Sequence, residues 1–249
     1  MEEKNALSTP VAIIISAVLV AGAIFGGFAY WKKTPTAPAV PGQQAVVTPQ
    51  GLTKTDYVLG NAKADVTIIT YTDYECPFCK VFDATLKEVN QKYGDKVGIV
   101  NRQSPIPSLH TKARTEAIAA ICAGQLGGNE KFWQYNDKIF ATTPSNDQLD
   151  LTLLPKFATE IGLDAKDFAE CTAGTAASSL VDQETADAAK YGATGTPFPL
   201  VFYKGKFLGA LPGAIPFADY QDQQGQTVPG LSTIIDQLLA GQVPGQPQQ

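Results

Sequence analysis

The sequence is poor in basic residues, histidine and cysteine, and each shortage argues against a class of function. Its 249 residues include 19 lysines and arginines against 24 aspartates and glutamates, a net charge of −5. No block of basic residues occurs, so nucleic acid is not an expected partner. A single histidine, His110, and four cysteines leave few ligands for zinc, which commonly needs a second CxxC or a histidine pair. We therefore expect no metal site and no cofactor.

A long apolar run lies near the N-terminus. Residues 11–31 read VAIIISAVLVAGAIFGGFAYW and contain no charged residue. Such a run can cross a hydrocarbon core of about 30 Å as a helix, and the closing Tyr30-Trp31 pair is typical of a membrane interface. We predict a transmembrane anchor over 11–31, after a short N-terminal tail, 1–10.

A cleaved signal peptide is the alternative reading of this segment. Signal peptides have a shorter apolar core and a basic start, whereas this chain begins MEEK. Ala37-Pro38-Ala39 resembles a cleavage site but lies beyond Lys32 and Lys33, so we favour an uncleaved signal-anchor. These two lysines argue weakly against export of the following domain, although long domains translocate largely regardless of flanking charge.

The rest of the chain divides by composition. Residues 32–50 are rich in proline, alanine and glutamine, a linker composition that builds no core. The tail, 242–249, has the same character and is predicted to be disordered. One folded unit is expected between them, over 51–241.

The first half of this unit has the pattern of a βαβ unit. Residues 65–71, DVTIITY, predict a buried strand, and 96–103 predict a second. Between them, apolar residues recur at helical spacing until Gly94, which is a typical helix end. This stripe consists of Phe78, Phe82, Leu86, Val89 and Tyr93, with Val81 widening it. A strand–helix–strand order predicts a parallel pair.

The second half changes from helical to strand periodicity. A helical block is predicted over about 108–191, with glycines such as Gly124 and Gly128 punctuating it. Two short strands follow around a turn at Lys204-Gly205-Lys206, and a last helix begins near Pro229. With a weakly predicted strand near 57–60, the fold class is α/β.

The CPFC segment joins the first predicted strand to the first helix. Cys76 falls at the helix N-cap and Pro77 in the first turn, while Cys79 shares the helix face three residues later. The free N–H groups and the helix dipole stabilise a thiolate on Cys76, and Cys79 is expected to remain a thiol longer. The pair can therefore exchange disulfides, with the exposed Cys76 sulfur attacked and Cys79 resolving.

Two other readings of CPFC are weaker. A zinc site would need further ligands close in sequence, and Cys122 and Cys171 are single and far apart. A structural disulfide between residues three apart closes a very small loop and stabilises little. The order strand, CxxC, helix favours the redox reading.

Three motifs together resemble a known family. DYECPFCKVF after VTIITY, the helical segment from SLHTKARTEAIAAICAG to KFWQYNDKIF, and GATGTPFPLVFYKG are similar to the DsbA-like thiol–disulfide oxidoreductases of the thioredoxin superfamily, especially the membrane-anchored bacterial members. The resemblance implies a thioredoxin fold with an inserted all-helical domain. It also implies that Thr196 and Pro197, after Gly195, form a cis-proline loop that faces the CxxC and positions substrate. Without the CxxC, Pro197 would read as a loop proline before an edge strand.

This chain departs from the family at two positions. Many members have histidine where Phe78 stands, which implies a less oxidising pair here. Many also carry a buried glutamate where Thr70 stands, so the group that takes the proton from Cys79 is open, and water is one possibility. Asp73 and Glu75 lie nearby in sequence. We expect Glu75 to lie at the solvent edge of the site. Pro77, Phe78 and Glu75 are the predicted neighbours of the two cysteines.

The remaining cysteines and the histidine lie in the predicted helical block. Cys122 and Cys171 could be buried free thiols, but the even cysteine count of an exported chain favours a structural disulfide. His110 has no cysteine or histidine beside it in sequence. We interpret it as a surface or capping residue rather than a catalyst.

The resemblance implies a tethered monomeric enzyme that introduces disulfide bonds into exported proteins. Its expected partners are reduced or unfolded exported proteins and a membrane quinone-linked thiol oxidase, DsbB-like or VKOR-like, that reoxidises it. The expected location is the cell membrane, single-pass, with the catalytic domain on the periplasmic or cell-surface side. A reductase or isomerase of the same fold, and a non-catalytic tethered peptide-binding chaperone, are the alternatives.

Overall fold

The computed structural model describes residues 47–243, which contain a five-stranded mixed sheet in the order β1-β3-β2-β4-β5. Its strands are β1 (Val58–Gly60), β2 (Val66–Thr72), β3 (Val97–Gln103), β4 (Phe198–Tyr203) and β5 (Lys206–Ala210). Strands β2 and β3 are parallel and all other neighbours are antiparallel. The predicted parallel pair and the β4–β5 hairpin are confirmed. A small ladder joins β6 (Tyr220–Gln221) to β7 (Thr227–Val228).

Six α-helices complete the part of the chain that the structure describes. They are α1 (Pro77–Tyr93), α2 (Ala113–Thr142), α3 (Leu153–Glu160), α4 (Ala165–Ala173), α5 (Ala176–Lys190) and α6 (Leu231–Leu239). Helix α2 is broken at Gly128, whose φ of 73° lies in the left-handed region. Gly124 does not end a helix as predicted. It lies inside α2, where a Cβ would collide with the ring of Tyr57.

The two faces of the sheet are covered by different helices. Strand β2 is buried along its whole length because it lies at the centre of the sheet. Val66 and Ile68 pack into the larger apolar core, which includes buried residues of α1 and α6. Ile69 and Tyr71 point to the other face and pack into a smaller core that includes Ala188 of α5.

The predicted apolar stripe on α1 is correct in its C-terminal part and wrong at its start. Phe82 is buried, whereas Phe78 is 66% and Val81 60% exposed. The inward position of the first turn is taken by Cys79, which is 1% exposed. A helix turns by about 100° per residue, so this phase leaves the two neighbouring apolar side chains in solvent.

A buried ion pair fixes the segment before β1 to the sheet. The guanidinium of Arg102 on β3 donates from Nε and Nη2 to the two carboxylate oxygens of Asp56, at 2.9 and 2.8 Å. It also donates to the carbonyl oxygens of Gln50 and Gly51. The chain is therefore held in place from about residue 50.

The predicted anchor, 11–31, the tail, 1–10, and most of the predicted linker lie outside the described residues. Within 47–243, no helix has both the length and the apolar character needed to span a bilayer.

Candidate active site

Cys76 and Cys79 lie at the junction between β2 and α1. Cys76 is the N-cap of α1, with extended backbone angles (φ −76°, ψ 120°), and Pro77 is the first residue of the helix. Both cysteines are free thiols. The first-turn proline costs no hydrogen bond, because the N–H it lacks has no partner within a helix.

The Cys76 side chain is less accessible than the sequence suggested. The residue is only 6% exposed, against 1% for Cys79, so the expectation of an exposed sulfur is corrected. The cause is the loop before β4: Cys76 Sγ lies 3.4 Å from the carbonyl oxygen of Thr196, to which the thiol donates. A substrate must therefore approach along this loop.

The environment of Cys76 favours its thiolate. A hydrogen bond from the Cys79 side chain is the largest of the effects that lower the pKa of Cys76, to about 6. Burial opposes this shift, while Thr196 and the backbone N–H groups of Cys79 and Phe78 reinforce it. These N–H groups belong to the first turn of α1, the position where a helix stabilises a negative charge.

Cys79 has the opposite character. Burial, followed by the neighbouring Cys76, raises the pKa of the Cys79 thiol well above its usual range. The backbone N–H of Asp73 donates to Cys79 Sγ at 3.4 Å. The pair is thus asymmetric, with a stabilised thiolate at Cys76 and a protonated thiol behind it.

The Thr196-Pro197 loop faces Cys76. Its peptide bond is cis. The strand that follows, β4, lies between β2 and β5, so Pro197 does not precede an edge strand. A groove runs beside the loop, lined by Gly192, Thr194, Gly195, Thr196, Pro197, Phe198, Leu211, Pro212 and Gly213.

Asp73 organises the segment that carries the cysteines. Its carbonyl oxygen accepts from Cys76 N–H at 3.1 Å, and its carboxylate accepts from the N–H groups of Glu75 and Ile106. His110 Nδ1 lies 3.0 Å from Asp73 Oδ2, and the ring is buried. His110 is therefore neither a surface nor a capping residue, because its partner is an acid 37 positions earlier in sequence.

Glu75 is fully buried, which corrects its expected place at the solvent edge. Its carboxylate accepts from the N–H of Asp147 at 2.7 Å and of Leu149 at 3.3 Å. These donors lie in the loop after α2, more than seventy residues away in sequence. Local sequence patterns carry no information on such a contact.

Thr70 stands where many members of the family carry a buried glutamate. Thr70 is buried, and its hydroxyl has no hydrogen-bond partner within residues 47–243. Three buried carboxyl groups elsewhere were not singled out from the sequence, Asp83 on α1, Glu116 on α2 and Glu184 on α5. For Glu116 a signal existed, since it continues the helical spacing of the buried Ala117 and Ala120.

The other two cysteines are joined. Cys122 on α2 and Cys171 on α4 form a disulfide with an S–S distance of 2.06 Å and a Cα–Cα distance of 5.8 Å. Cys122 is fully buried. Among the described residues, no group of three or more histidine, cysteine, aspartate or glutamate side chains is arranged to hold a metal ion.

The two cysteines differ in acidity and lie at a strand–helix junction, on a mixed sheet whose two faces are covered by helices. This combination is characteristic of the thioredoxin superfamily. A family model described as thioredoxin matches residues 52–210. The chain belongs to this family, and the resemblance to its DsbA-like thiol–disulfide oxidoreductases is confirmed by the structural similarities below.

Solved structures of DsbA proteins are similar over most of this chain. Pseudomonas aeruginosa DsbA2 is 27% identical with a TM-score of 0.58, covering 78% of this chain and 100% of that one. BdbD from Bacillus subtilis, oxidised, is 22% identical with a TM-score of 0.62, covering 80% and 100%. At that identity the BdbD similarity supports the fold alone. The chain has a thioredoxin fold that carries additional helices.

Curated relatives match only a part of longer proteins. The Na(+)/H(+) antiporter NhaA 1 of Mycolicibacterium gilvum is 30% identical over 155 residues, which is 61% of this chain and 24% of the antiporter. NhaA 3 of Salinispora tropica is 30% identical over 142 residues, 57% and 21% respectively. The chain thus spans about a quarter or less of the length of these relatives. The antiporter activity in their names is a property of those longer proteins.

Proposed function

We propose that the protein introduces disulfide bonds into exported proteins, with Cys76 as the attacked sulfur and Cys79 as the resolving one. The observation that carries the proposal is the position of Cys76 at the N-terminus of α1, with its Sγ 3.4 Å from the Thr196 carbonyl oxygen, where the pKa of the thiol is lowered to about 6. A stabilised thiolate is a good leaving group and favours the reduced form of the pair. The oxidised form is then a strong disulfide donor.

The first step forms a mixed disulfide. A substrate thiolate attacks Cys76 Sγ of the oxidised pair, the new S–S bond joins substrate to Cys76, and the Cys76–Cys79 bond breaks. Cys79 leaves as a thiolate and takes up a proton, because its buried site raises its pKa. Water remains the proposed source of that proton, since Thr70 carries no carboxyl group.

The second step releases the product. A second substrate thiolate attacks the substrate sulfur of the mixed disulfide, which frees the Cys76 thiolate. Two substrate thiols have then become one disulfide, and two electrons reside on Cys76 and Cys79. As it leaves, the Cys76 thiolate is stabilised by hydrogen bonds from the Cys79 side chain and from backbone N–H groups in the first turn of α1.

Substrate binding is assigned to the Thr196-Pro197 loop. The Thr196 carbonyl oxygen, 3.4 Å from Cys76 Sγ, fixes where a peptide must pass to reach the sulfur. The adjacent groove can hold an extended segment by main-chain hydrogen bonds, which recognise unfolded proteins without regard to sequence. The exposed Phe78 adds apolar surface beside the cysteines.

Reoxidation and location complete the proposal. A DsbB-like or VKOR-like membrane thiol oxidase accepts the electrons and passes them to a quinone. An anchor at 11–31 and a linker at 32–50 would hold the catalytic domain on the outer side of the cell membrane, near unfolded exported chains. Support comes from the apolar run and from the oxidising compartment that disulfide formation requires.

A folding assay tests the direction of electron flow. The full-length chain in detergent is added in catalytic amount to a reduced, unfolded protein, with glutathione disulfide as the oxidant. We expect disulfides to form faster than without the protein, and the double variant Cys76→Ser, Cys79→Ser to give the uncatalysed rate.

Two outcomes would favour the alternatives. A protein that reduces or rearranges disulfides but does not form them is a reductase or isomerase. A double variant that still improves the yield of folded protein, with no effect on disulfide formation, indicates a peptide-binding chaperone.

A further inference from the structure

A buried carboxyl group near the active site has no assigned role. Glu116 lies in the first turn of α2, is fully buried, and neither carboxyl oxygen has a hydrogen-bond partner within residues 47–243. Buried polar groups normally have partners, so an isolated carboxyl calls for an explanation. Burial, followed by the side chain of Glu75, raises the pKa of Glu116 to about 9. The group therefore holds a proton at neutral pH.

Glu75, the neighbour of Glu116, connects this carboxyl to the cysteines. It immediately precedes Cys76, and its two carboxylate oxygens accept hydrogen bonds from the backbone N–H groups of Asp147 and Leu149. Its own carbonyl oxygen accepts from Asn146 N–H at 2.8 Å. The segment that ends at Cys76 is thus clamped to the loop after α2.

The clamped loop has an unusual backbone. Ser145, Asn146 and Asp147 have φ values of 68°, 55° and 63°, in the left-handed region that residues other than glycine rarely adopt. Asp147 continues the connection, because its carboxylate accepts from the N–H groups of Thr111 and Lys112 just before α2. The clamp therefore runs from the cysteine segment, through this loop, to the helix that carries Glu116.

The charges that face Glu116 come from several elements, and those that raise its pKa are acids. Glu75 and Asp73 lie on the segment before α1, and Asp147 lies on the loop after α2. The phenols of Tyr74 and Tyr135 also interact with it. The histidine of this region, His110, is paired with Asp73. A cation beside the loop after α2 is Lys112, whose ammonium donates to the carbonyl oxygen of Leu149.

We propose that Glu116 is a positioning residue that acts on the redox pair through Glu75. Its proton is directed to the Glu75 carboxylate, so that the two carboxyl groups share one negative charge. Glu75 keeps its two backbone donors, Asp147 and Leu149. The inference rests on Cys76 and Cys79 being the redox pair, and is independent of the direction of electron flow.

The pH dependence of the redox equilibrium tests this role. The equilibrium constant of the full-length chain in detergent with glutathione is measured from pH 6 to pH 10, for wild type and Glu116→Gln. The two should agree at pH 6 to 7, where Glu116 is neutral. Above pH 9 Glu116 loses its proton and adds a second negative charge beside Glu75, which directly precedes Cys76, so wild type should become the weaker oxidant. A neighbouring charge shifts a pKa by about one unit, so the difference should approach about tenfold.

Glu184→Gln is the matched control. Glu184 is also a buried glutamate, with a pKa raised to about 8 by burial, but its carboxylate accepts from Gln103 N–H. This variant should follow the wild-type profile. A constant ratio between wild type and Glu116→Gln at every pH, or an equal divergence for Glu184→Gln, would overturn the inference. A chain that does not exchange with glutathione at any pH would instead overturn the assignment of the redox pair.

A measurement without substitution at Glu116 covers the case in which that variant does not fold. Glutamate is labelled with ¹³C at the carboxyl carbon in the Glu184→Gln protein, and the resonances are followed with pH. One glutamate should titrate near pH 9, which is the behaviour expected of a proton shared between Glu75 and Glu116. Titration of every glutamate below pH 6 would show that no shared proton exists.

Discussion

Replacement of Cys76 with serine is expected to abolish thiol–disulfide exchange, while replacement of Cys79 with alanine stops the reaction at the mixed disulfide. With a pKa of about 6, Cys76 is roughly 90% thiolate at pH 7, against a few per cent for an ordinary cysteine. Serine supplies no thiolate and no S–S bond. Cys79 is buried and protonated, so it cannot replace Cys76, but when the reduced pair reacts with a disulfide it is Cys79 that displaces the substrate bound to Cys76.

The measurement is the rate of reduction of a disulfide peptide, combined with mass spectrometry of the protein. Cys76→Ser should give the background rate and no adduct. Cys79→Ala should accumulate an adduct with one peptide or glutathione per chain. Phe78→Ala is the matched control, because it alters an exposed side chain between the cysteines and leaves both thiols. An adduct on Cys79 in the Cys76→Ser protein would reverse the assigned roles.

Loss of the Cys122–Cys171 disulfide is expected to cost about 4 kcal/mol of unfolding free energy. The bond closes a loop with a sequence separation of 49 residues, and the chain-entropy relation gives this magnitude for such a loop. It links α2 to α4, so its loss should loosen the helical part of the fold first. Urea unfolding of the Cys122→Ala, Cys171→Ala variant, compared with wild type, gives the difference.

The active site provides the control for the disulfide variant. The thiolate of Cys76 is stabilised by groups on α1 and the Thr196 loop, none of which belongs to α2 or α4. The pKa of Cys76 should therefore stay near 6 in the double-alanine protein. An unchanged urea midpoint would mean that the disulfide does not restrict the unfolded chain. A shifted Cys76 pKa would mean that the Cys122–Cys171 disulfide itself holds the redox pair in place.

The sequence predicted those features that depend on residues close together in the chain. A short run rich in β-branched residues located β2, an apolar stripe at helical spacing located α1, and short strand-like runs located β3 and the β4–β5 hairpin. The order of strand, cysteine and proline placed Cys76 at a helix N-terminus. The resemblance to DsbA-like proteins supplied the loop at Thr196, which lies 120 residues beyond Cys76 and which no local pattern could place against it.

Where a feature depends on residues distant in the chain, the prediction from the sequence was wrong or was not made. Glu75 is buried because a loop more than seventy residues later supplies the two N–H donors of its carboxylate. His110 is buried because its Nδ1 lies 3.0 Å from the carboxylate of Asp73. Phe78 is exposed although it continues an apolar stripe, since Cys79 occupies the inward position. Glu116 was not singled out although it continues the helical spacing of Ala117 and Ala120, because a charged side chain in a helix is usually solvated.

The reduction potential of the Cys76–Cys79 pair tests the central claim most directly. The full-length chain in detergent is equilibrated with glutathione redox buffers, and the Cys122–Cys171 disulfide is monitored separately. A stabilised Cys76 thiolate predicts a potential towards that of strong oxidants, about −120 mV, even with Phe78 between the cysteines. A potential near −270 mV, like that of thioredoxin, would contradict disulfide donation and identify a reductase.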